Sequence, residues 1–496
     1  SITSPLVLDL DNDGIETTSL SDGVYFDHDN NGLAEKSGWV SSDDGLLVLD
    51  RNNDGLINNG SELFGNNTSL SSGDLADNGF QALADFDSNQ DGVIDQNDTV
   101  FNDLNIWRDF NQDGISQQHE LFSMDDAGVS SISTDWQETL QQDTSGNEIR
   151  QTGTATFSDG SNVDVADVWF NTNLSDSRDH QSLEINASIQ SLPNIRGFGN
   201  VSDLHQAMAT DAALLELVQS FTASDDENFR QGLLDQIIYQ WTGVQNVDPY
   251  SRDPSKVYGH VMDARQLEAL EELAGREYLG TWCWGERDPN PHGRAAPVLI
   301  EQFNEFRNFV HGQLMAGSHF SEYFDLIGIR FDLESFSFKP DLTVFTSVLE
   351  GLIAEGDQPL VSRVLGVMKQ LSIFSSDLRA SVTALQSNTT LGPLIANSLV
   401  EGSEAGDVLS GSASNDLIVG YEGDDVLMGN RGNDTYLFNP GDGSDRIYDS
   451  GGNDLISFGH GIEPSNLYLT RNVTSLFVTL LDDSGQPTGD RLQIDN

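Results

Sequence analysis

The stretch DFNQDGISQQHE, residues 109–120, decides the local fold of the first part of this chain. Its acidic and amide side chains alternate with other residues, a glycine follows at the sixth position, and a glutamate closes the stretch. Oxygen atoms at positions 1, 3, 5, 7, 9 and 12, with a sharp glycine turn at 6, are the arrangement that encloses a calcium ion. The alternative is a metal-free turn. The ligands predicted here are Asp109, Asn111, Asp113, Ile115 through its carbonyl, Gln117 and Glu120.

Four similar clusters lie upstream, so the pattern recurs through residues 1–182. The cluster at 87–98 is nearly complete, with aspartate in place of the closing glutamate, whereas those at 9–16, 27–35 and 50–62 are incomplete. The alternative for each incomplete cluster is an Asx turn, whose side chain bonds to its own backbone. Three in succession with the same spacing favour bound metal. The predicted ligands are Asp9, Asp11, Asp13, Glu16, Asp27, Asp29, Asn31, Glu35, Asp50, Asn52, Asp54, Leu56, Asn58, Glu62, Asp87, Asn89, Asp91, Val93, Asp95 and Asp98.

Apolar residues flank the two most complete loops and predict how these loops pair. Phe80 and Leu83 precede the loop at 87–98, and Leu104, Ile106 and Trp107 lie between the two loops. Adjacent calcium loops that share a small apolar core are typical of EF-hand sites. We therefore expect an EF-hand-like calcium module, organised by bound calcium rather than by a continuous apolar core.

A second repeat lies near the other end of the chain, where residues 402–437 divide into GSEAGDVLS, GSASNDLIV, GYEGDDVLM and GNRGNDTYL. Each unit opens with glycine, has aspartate at position six and an apolar or aromatic residue at position eight. These units resemble the RTX repeat, which implies a parallel β-roll with calcium between its turns. The alternative is a glycine-rich linker. The aspartates that the resemblance assigns to calcium are Asp407, Asp416, Asp425, Asp434 and, from the weaker unit SGGNDLISF, Asp454.

Composition excludes several functions. Acidic residues outnumber basic ones 80 to 23, so the formal charge is −57, and no basic stripe exists to bind nucleic acid. Disorder fits poorly, because 25 Phe, 7 Trp and 10 Tyr are enough to build a core. The chain has no apolar run long enough for a membrane span. Its start lacks the features of a signal peptide. We expect a fragment of a longer bacterial protein that is secreted by type I export.

The middle of the chain, residues 183–392, lacks these clusters and shows helical periodicity. Amphipathic segments at 202–222, 263–273, 298–314 and 360–371 predict helices, and Ser224–Glu227 resembles a capping box. The predicted fold is a multidomain α+β chain. It consists of a calcium module at 1–182, an all-α domain of unknown role at 183–392, and a β-roll with a truncated β tail at 400–496.

The first region also resembles the self-processing module of FrpC-type RTX proteins. The matching stretches include SPLVLDLDNDGIET, SGWVSSDDGLLVLDRNNDGLINNGSELFGNNT and LNIWRDFNQDGISQQHEL. The resemblance implies that calcium triggers cleavage of an Asp-Pro bond just before the module, through attack of the aspartate carboxylate on its own carbonyl. Here Ser4 precedes Pro5 and offers no carboxylate. We therefore expect the family fold without cleavage at this junction.

Two functions follow as hypotheses. The first is a calcium-binding segment of a secreted RTX protein that folds on calcium after export and serves a structural, adhesion or toxin-associated role with a cell-surface or protein partner. The second is a calcium-triggered autoprotease or transpeptidase, which Ser4 argues against. Nothing indicates that Asp-Pro bonds at 248, 253 and 288 replace the missing one. A nucleophilic role for Cys283 is conceivable, but a buried structural cysteine is the usual case.

Overall fold

The computed structural model describes residues 2–254, 259–282, 285–333 and 335–495. It forms two compact units, of which the first is Ser1–Phe221 with Asp225–Phe303 and the second is Thr222–Ser224 with Asn304–Asn496. The three-part division made from composition stays a prediction. Cys283 lies outside the described residues.

A twelve-stranded, largely antiparallel sheet organises the first unit. Its main path is β10-β9-β7-β2-β14-β13-β11-β8, and four further strands pair with it at its sides. The elements are β1 (Ile2–Thr3), β2 (Leu6–Leu8), β3 (Thr17–Thr18), β4 (Val24–Phe26), β5 (Leu33–Ser37), β6 (Trp39–Val40), β7 (Gly45–Leu49), α1 (Gly79–Ala84), β8 (Val93–Ile94), β9 (Leu104–Trp107), β10 (Leu121–Ser123), β11 (Val129–Ser133), β12 (Gln137–Gln142), β13 (Glu148–Phe157) and β14 (Asn162–Asp179).

This sheet buries apolar side chains on both faces. In β2, Leu6 and Leu8 enter one core with Phe80, while Val7 enters a second core with Trp39. Successive strand residues point to opposite faces, so an uninterrupted apolar strand indicates burial on both sides. The expectation that calcium replaces a continuous apolar core is therefore wrong for this unit.

The EF-hand-like description is not confirmed. The loop at 87–98 follows the short helix α1, and the loop at 109–120 joins the paired strands β9 and β10. None of the five described loops lies between two α-helices. The loops are connections at the edges of a β-structure.

The middle of the chain is mostly helical, as predicted, but it is not all-α. Two short antiparallel hairpins interrupt the helices. Helix α5 begins at Glu227 with Asp226, not Ser224, as its N-cap. The elements are α2 (Ala187–Gln190), α3 (Leu204–Thr210), α4 (Ala212–Ala223), α5 (Glu227–Trp241), α6 (Ala264–Ala274), β15 (Gly280–Thr281), β16 (Arg287–Asp288), α7 (Ala296–Ala316), α8 (Ser321–Phe324), β17 (Gly328–Asp332), β18 (Ser337–Asp341), α9 (Thr343–Glu355), α10 (Gln358–Ser372), α11 (Ser376–Leu385) and α12 (Gly392–Ala396).

The C-terminal part is a parallel β-roll, as predicted. Odd-numbered strands β19 to β25 form one parallel sheet, and β20, β22, β24 and β28 form the parallel part of a second. Position-eight residues such as Ile418, Leu427 and Tyr436 fill the core between the sheets. The strands are β19 (Ser398–Glu401), β20 (Val408–Ser410), β21 (Asp416–Val419), β22 (Val426–Met428), β23 (Thr435–Phe438), β24 (Ser444–Tyr448), β25 (Leu455–Phe458), β26 (Leu467–Arg471), β27 (Ser475–Leu481) and β28 (Pro487–Asp495).

Candidate calcium sites

All five N-terminal loops share one backbone conformation. The fourth residue of each loop has a φ between 55° and 66°, and the sixth, a glycine, has a φ between 73° and 112°. A left-handed sixth residue is cheap only for glycine, which explains the glycine in every loop. The fourth residues are Asn12, Asn30, Asn53, Gln90 and Gln112.

The first aspartate of each loop holds this turn together. In all five loops the glycine N–H donates to Oδ2 of that aspartate at 2.8–3.1 Å. The side chains at positions three and five lie at the mouth of each turn and are exposed: Asp11, Asp13, Asp29, Asn31, Asn52, Asp54, Asn89, Asp91, Asn111 and Asp113. The three predicted at position nine, Asn58, Asp95 and Gln117, are half-buried. Of the predicted carbonyl donors, Leu56 and Ile115 are exposed and Val93 is half-buried.

A carboxylate closes each loop by accepting the N–H of the second loop residue. Four closing residues are the predicted ones, Glu35, Glu62, Asp98 and Glu120, with N···O distances of 2.8–3.3 Å. All four are buried. Asx turns alone do not require a buried acid over the turn, so these carboxylates favour the metal interpretation.

The first loop is closed by a residue that the sequence did not indicate. Asp44, in the connection between β6 and β7, accepts the N–H of Leu10 at 3.3 Å and that of Glu16 at 2.9 Å. Carboxylate oxygens of Asp9, Asp11 and Asp44 lie within 4.8 Å of one another. Asp44 therefore occupies the closing position of the first loop, and the predicted ligand Glu16 instead donates its backbone N–H to Asp44.

Burial makes the charged form of two closing acids, Asp44 and Glu35, costly without a cation. The pKa of Asp44 is raised to about 7 and that of Glu35 to about 8, in both cases chiefly because burial disfavours the charged carboxylate. Burial and neighbouring carboxylates also raise the pKa of Glu16. A hard divalent cation with oxygen ligands would remove this penalty, so the donor set fits calcium.

In the β-roll, aspartates of successive turns form a ladder. Oδ1 of Asp425 accepts the N–H of Asp407 at 2.7 Å, and Oδ1 of Asp434 accepts that of Asp416 at 2.8 Å. Each pair is 18 residues apart, which is one full turn of two nine-residue units. The second oxygens, Oδ2 of Asp425 and Asp434, are buried and have no hydrogen-bond partner among the described residues. A buried carboxylate oxygen left without a donor fits a cation that the ladder is built to hold.

The glycine that opens each repeat unit leaves space next to the Oδ2 atom of the aspartate in that unit. A Cβ added at Gly420 would lie 2.2 Å from Oδ2 of Asp425, and one at Gly429 would lie 2.4 Å from Oδ2 of Asp434. Any larger residue would fill the space in front of the ladder. The hydrogen bonds form two rows, one through Asp407 and Asp425 and one through Asp416, Asp434 and Asp454. Asp407 and Asp454 are less buried than the other three.

Two further acids join the roll that the sequence did not single out. Oδ1 of Asp445 accepts the N–H of Asp425 at 3.1 Å and so continues the ladder, and burial raises its pKa to about 7. Carboxylate oxygens of Asp434, Asp449 and Asp454 lie within 4.8 Å of one another. The sequence around Asp445, GDGSDRI, resembles a repeat unit and could have identified this residue. A two-residue insertion before the unit interrupts the nine-residue spacing. The sequence around Asp449 gives no such indication.

Comparison with known proteins now bears on this arrangement. The SPM domain family matches residues 6–171, and the RTX calcium-binding nonapeptide repeat matches residues 401–436 and 441–461 in four copies. The iron-regulated protein FrpA of Neisseria meningitidis serogroup C is 38% identical over 242 residues. The chain carries RTX calcium-binding repeats and resembles RTX proteins of the FrpA/FrpC type. Its RTX repeats bind calcium ions, which confirms the predicted cofactor.

The match to FrpA covers 48% of this chain and 22% of FrpA, so the matched part spans about a fifth of that relative. The solution structure of the AlgE6R3 subunit of the mannuronan C5-epimerase from Azotobacter vinelandii is 20% identical and covers 19% of this chain and 72% of that one. Its TM-score of 0.12 is too low to support an argument about fold. Within the described ranges, no helix has both the length and the apolar character that crossing a membrane requires.

Proposed function

We propose that this RTX protein segment is exported loosely folded and folds when calcium fills its loops and its β-roll. The observation that carries the proposal is the aspartate ladder, whose buried Oδ2 atoms at Asp425 and Asp434 have no hydrogen-bond partner within the part of the chain that the structure describes. Desolvating unpaired carboxylates costs free energy that a bound cation returns. Calcium binding then becomes folding free energy, as in other metal-dependent domains.

The residues that would hold calcium in the roll are the ladder aspartates together with the carbonyls that the glycine turns expose. In the first unit they are the five loops, closed by Asp44, Glu35, Glu62, Asp98 and Glu120. Calcium supplies charge neutralisation and cross-links turns that are distant in sequence. About seven to nine ions would cancel roughly 14–18 charges, so the folded chain stays strongly acidic.

The cellular role follows from this chemistry. A chain with a formal charge of −57 repels itself when calcium is scarce, which suits passage through a type I export channel. Outside the cell, calcium would drive folding into a structural or adhesion segment of the longer protein. The helical middle region would then present a surface to a cell-surface or protein partner.

A calcium titration of the whole chain tests this function. The far-ultraviolet circular dichroism spectrum in EGTA should lack part of the β-structure signal and gain it cooperatively as calcium is added. Native mass spectrometry should count several bound ions over the same range. Identical spectra in EGTA and calcium, or no bound ions, would contradict calcium-driven folding. Magnesium at equal concentration is the matched control, because it demands a smaller octahedral shell.

The alternative is self-cleavage before Pro5, and the structure shows how this junction is held. The N–H of Ser4 donates to Oδ1 of Asn66 at 2.9 Å, and the N–H of Asn66 donates to Oγ of Ser4 at 3.1 Å. The carbonyl of Pro5 accepts from Val168 at 3.0 Å, and a Cβ at Gly65 would lie 1.4 Å from the Ser4 carbonyl oxygen. The junction is fixed on both sides, but residue 4 lacks the attacking carboxylate.

Intact mass after calcium addition separates the two functions. The wild-type chain should keep its full mass, because Ser4 cannot form the anhydride. Loss of residues 1–4 from the wild type would establish the autoprotease instead. The variant Ser4→Asp restores a carboxylate at this position and shows whether the surrounding structure still supports cleavage.

A further inference from the structure

The hairpin of β17 and β18 exposes a large apolar surface. Its five large apolar side chains each leave between 47% and 80% of their surface accessible. They are Ile329, Phe331, Leu333, Phe336 and Phe338. Single exposed apolar residues are ordinary, but a contiguous group of five marks a surface that contacts another apolar phase.

The strand register places the apolar and charged side chains on opposite faces. Phe331 pairs directly with Phe338, and Ile329 pairs with Pro340, so these four residues share one face. The basic residues Arg330 and Lys339 pair with each other on the other face. The ring of Phe331 also contacts that of Phe336 in the turn, with centroids 6.3 Å apart. The apolar face therefore continues into the tip of the hairpin.

The hairpin carries a small net negative charge. Residues 328–341 contain two basic and three acidic residues, a net charge of −1, in a chain of −57. Nζ of Lys339 lies 3.6 Å from a carboxylate oxygen of Asp332. A zwitterionic surface has no net charge to repel the hairpin or the acidic chain around it, whereas an anionic surface would repel both.

The size of the surface argues against a second copy of the chain as its partner. Five side chains of about 150–200 Å² each, exposed by roughly two thirds, offer on the order of 600 Å². A stable protein interface buries about 800 Å² on each side. Insertion into a lipid headgroup region sets no such minimum and suits a narrow projecting tip.

We propose that this hairpin inserts its apolar face into zwitterionic phospholipid surfaces and attaches the segment peripherally to a membrane. Leu333 and Phe336, at the turn, enter furthest. The hairpin lies outside both family matches, 6–171 and 401–461, so neither family accounts for it. The proposal concerns a contact at the membrane surface and involves no spanning element.

Vesicle co-sedimentation of the full chain in calcium tests the proposal. Wild-type protein should sediment with phosphatidylcholine vesicles, and the double variant Leu333→Ser with Phe336→Ser should bind roughly tenfold more weakly. Val473→Ser is the matched control, because Val473 is the exposed apolar residue in the turn of another hairpin, between β26 and β27. This variant should bind like wild type, and calcium-dependent circular dichroism should be the same for all three proteins.

Three results would overturn the proposal. The first is wild-type protein that does not sediment with phosphatidylcholine. The second is a double variant that binds vesicles as well as the wild type does. This result includes a double variant that still binds phosphatidylserine vesicles through calcium alone. The third is a wild-type dimer, detected by analytical ultracentrifugation, that the double variant abolishes, since a second copy would then cover the hairpin.

Discussion

Asp434→Asn should change the stability of the β-roll in opposite directions with and without calcium. Asp434 is buried, and its carboxylate lies within 4.8 Å of those of Asp449 and Asp454. Asparagine keeps an oxygen to accept the N–H of Asp416, which Asp434 now accepts at 2.8 Å. The substitution therefore removes one charge and one calcium ligand while it preserves the ladder hydrogen bond.

Without calcium the variant should be more stable than the wild type. Two unit charges 4.8 Å apart repel by about 1 kcal/mol in water and by about 3.5 kcal/mol at an effective dielectric constant near 20. Removing the Asp434 charge relieves this repulsion from two neighbours. We expect a gain of about 1–3 kcal/mol in EGTA. In line with this repulsion, burial and nearby acids raise the pKa of Asp434.

With calcium the variant should be less stable than the wild type. Extracellular calcium modules bind with dissociation constants of about 10⁻⁴ to 10⁻³ M. At about 10 mM calcium, one such site stabilises the folded state by RT ln(1 + [Ca²⁺]/Kd), or about 1.4–2.7 kcal/mol. Loss of one site should cost that amount, because asparagine contributes a weaker, uncharged ligand.

Hydrogen exchange of peptides that cover residues 416–438 measures both effects. Tryptophan fluorescence does not suit this part of the chain, because all seven tryptophans lie before residue 304. Asp483→Asn is the control, since it removes the same charge from an exposed turn. If protection changes in the same direction in EGTA and calcium, or if both variants behave alike, the ladder does not bind calcium as reasoned here.

Three other predictions follow from single residues. Asp44→Asn should lower the number of bound ions by one in native mass spectrometry, while Asp125→Asn, at an exposed position, should leave it unchanged. Gly429→Ala should weaken calcium binding about tenfold or more, because the added Cβ would lie 2.4 Å from Oδ2 of Asp434. Gly351→Ala is the control and should leave calcium binding unchanged, because open space surrounds Gly351 in α9. Burial raises the pKa of Asp167 to about 7, so the folded state favours its neutral form and stability should fall by up to ~4 kcal/mol from pH 4 to pH 8. Asp167→Asn should remove this part of the pH-dependent loss of stability. Urea unfolding followed by tryptophan fluorescence at constant calcium measures the loss, and an unchanged pH profile in the variant would show that Asp167 does not cause it.

The five loops and the β-roll were predictable because their determinants are local. A turn that needs a left-handed sixth residue selects glycine, and an aspartate at position one reaches the glycine N–H five residues later. The roll repeats every nine residues, so its aspartates and core residues appear at fixed spacing. Such patterns persist whatever surrounds them.

The ligands contributed by distant segments were not predictable. Asp44 reaches the first loop only because the sheet places the β6–β7 connection over it. Asp449 joins Asp434 because successive turns of the roll stack. Neither residue has a distinguishing neighbour in sequence, and acids are too abundant in this chain for composition to select them.

The EF-hand-like expectation was not confirmed, for a related reason. The apolar residues around 87–98 and 109–120 fit a helix pair or a sheet equally well over such short spans. In the structure these segments form a sheet rather than a helix pair, because Leu47 in β7 pairs with Ile106 in β9. That pairing joins segments almost sixty residues apart. The exposed hairpin at 328–341 was missed because its apolar residues gave no sign of whether they are buried.

The sequence by itself predicted the calcium-binding repeats, the positions of the loops and the roll, and the glycine turns, because these depend on backbone conformations set by neighbouring residues. Tertiary structure alone decided that a two-sided apolar sheet carries the loops, that Asp44 closes the first of them, and that one hairpin leaves its apolar face in water. Those properties depend on which distant segments pair, and strand pairing is settled by burial summed over the whole unit.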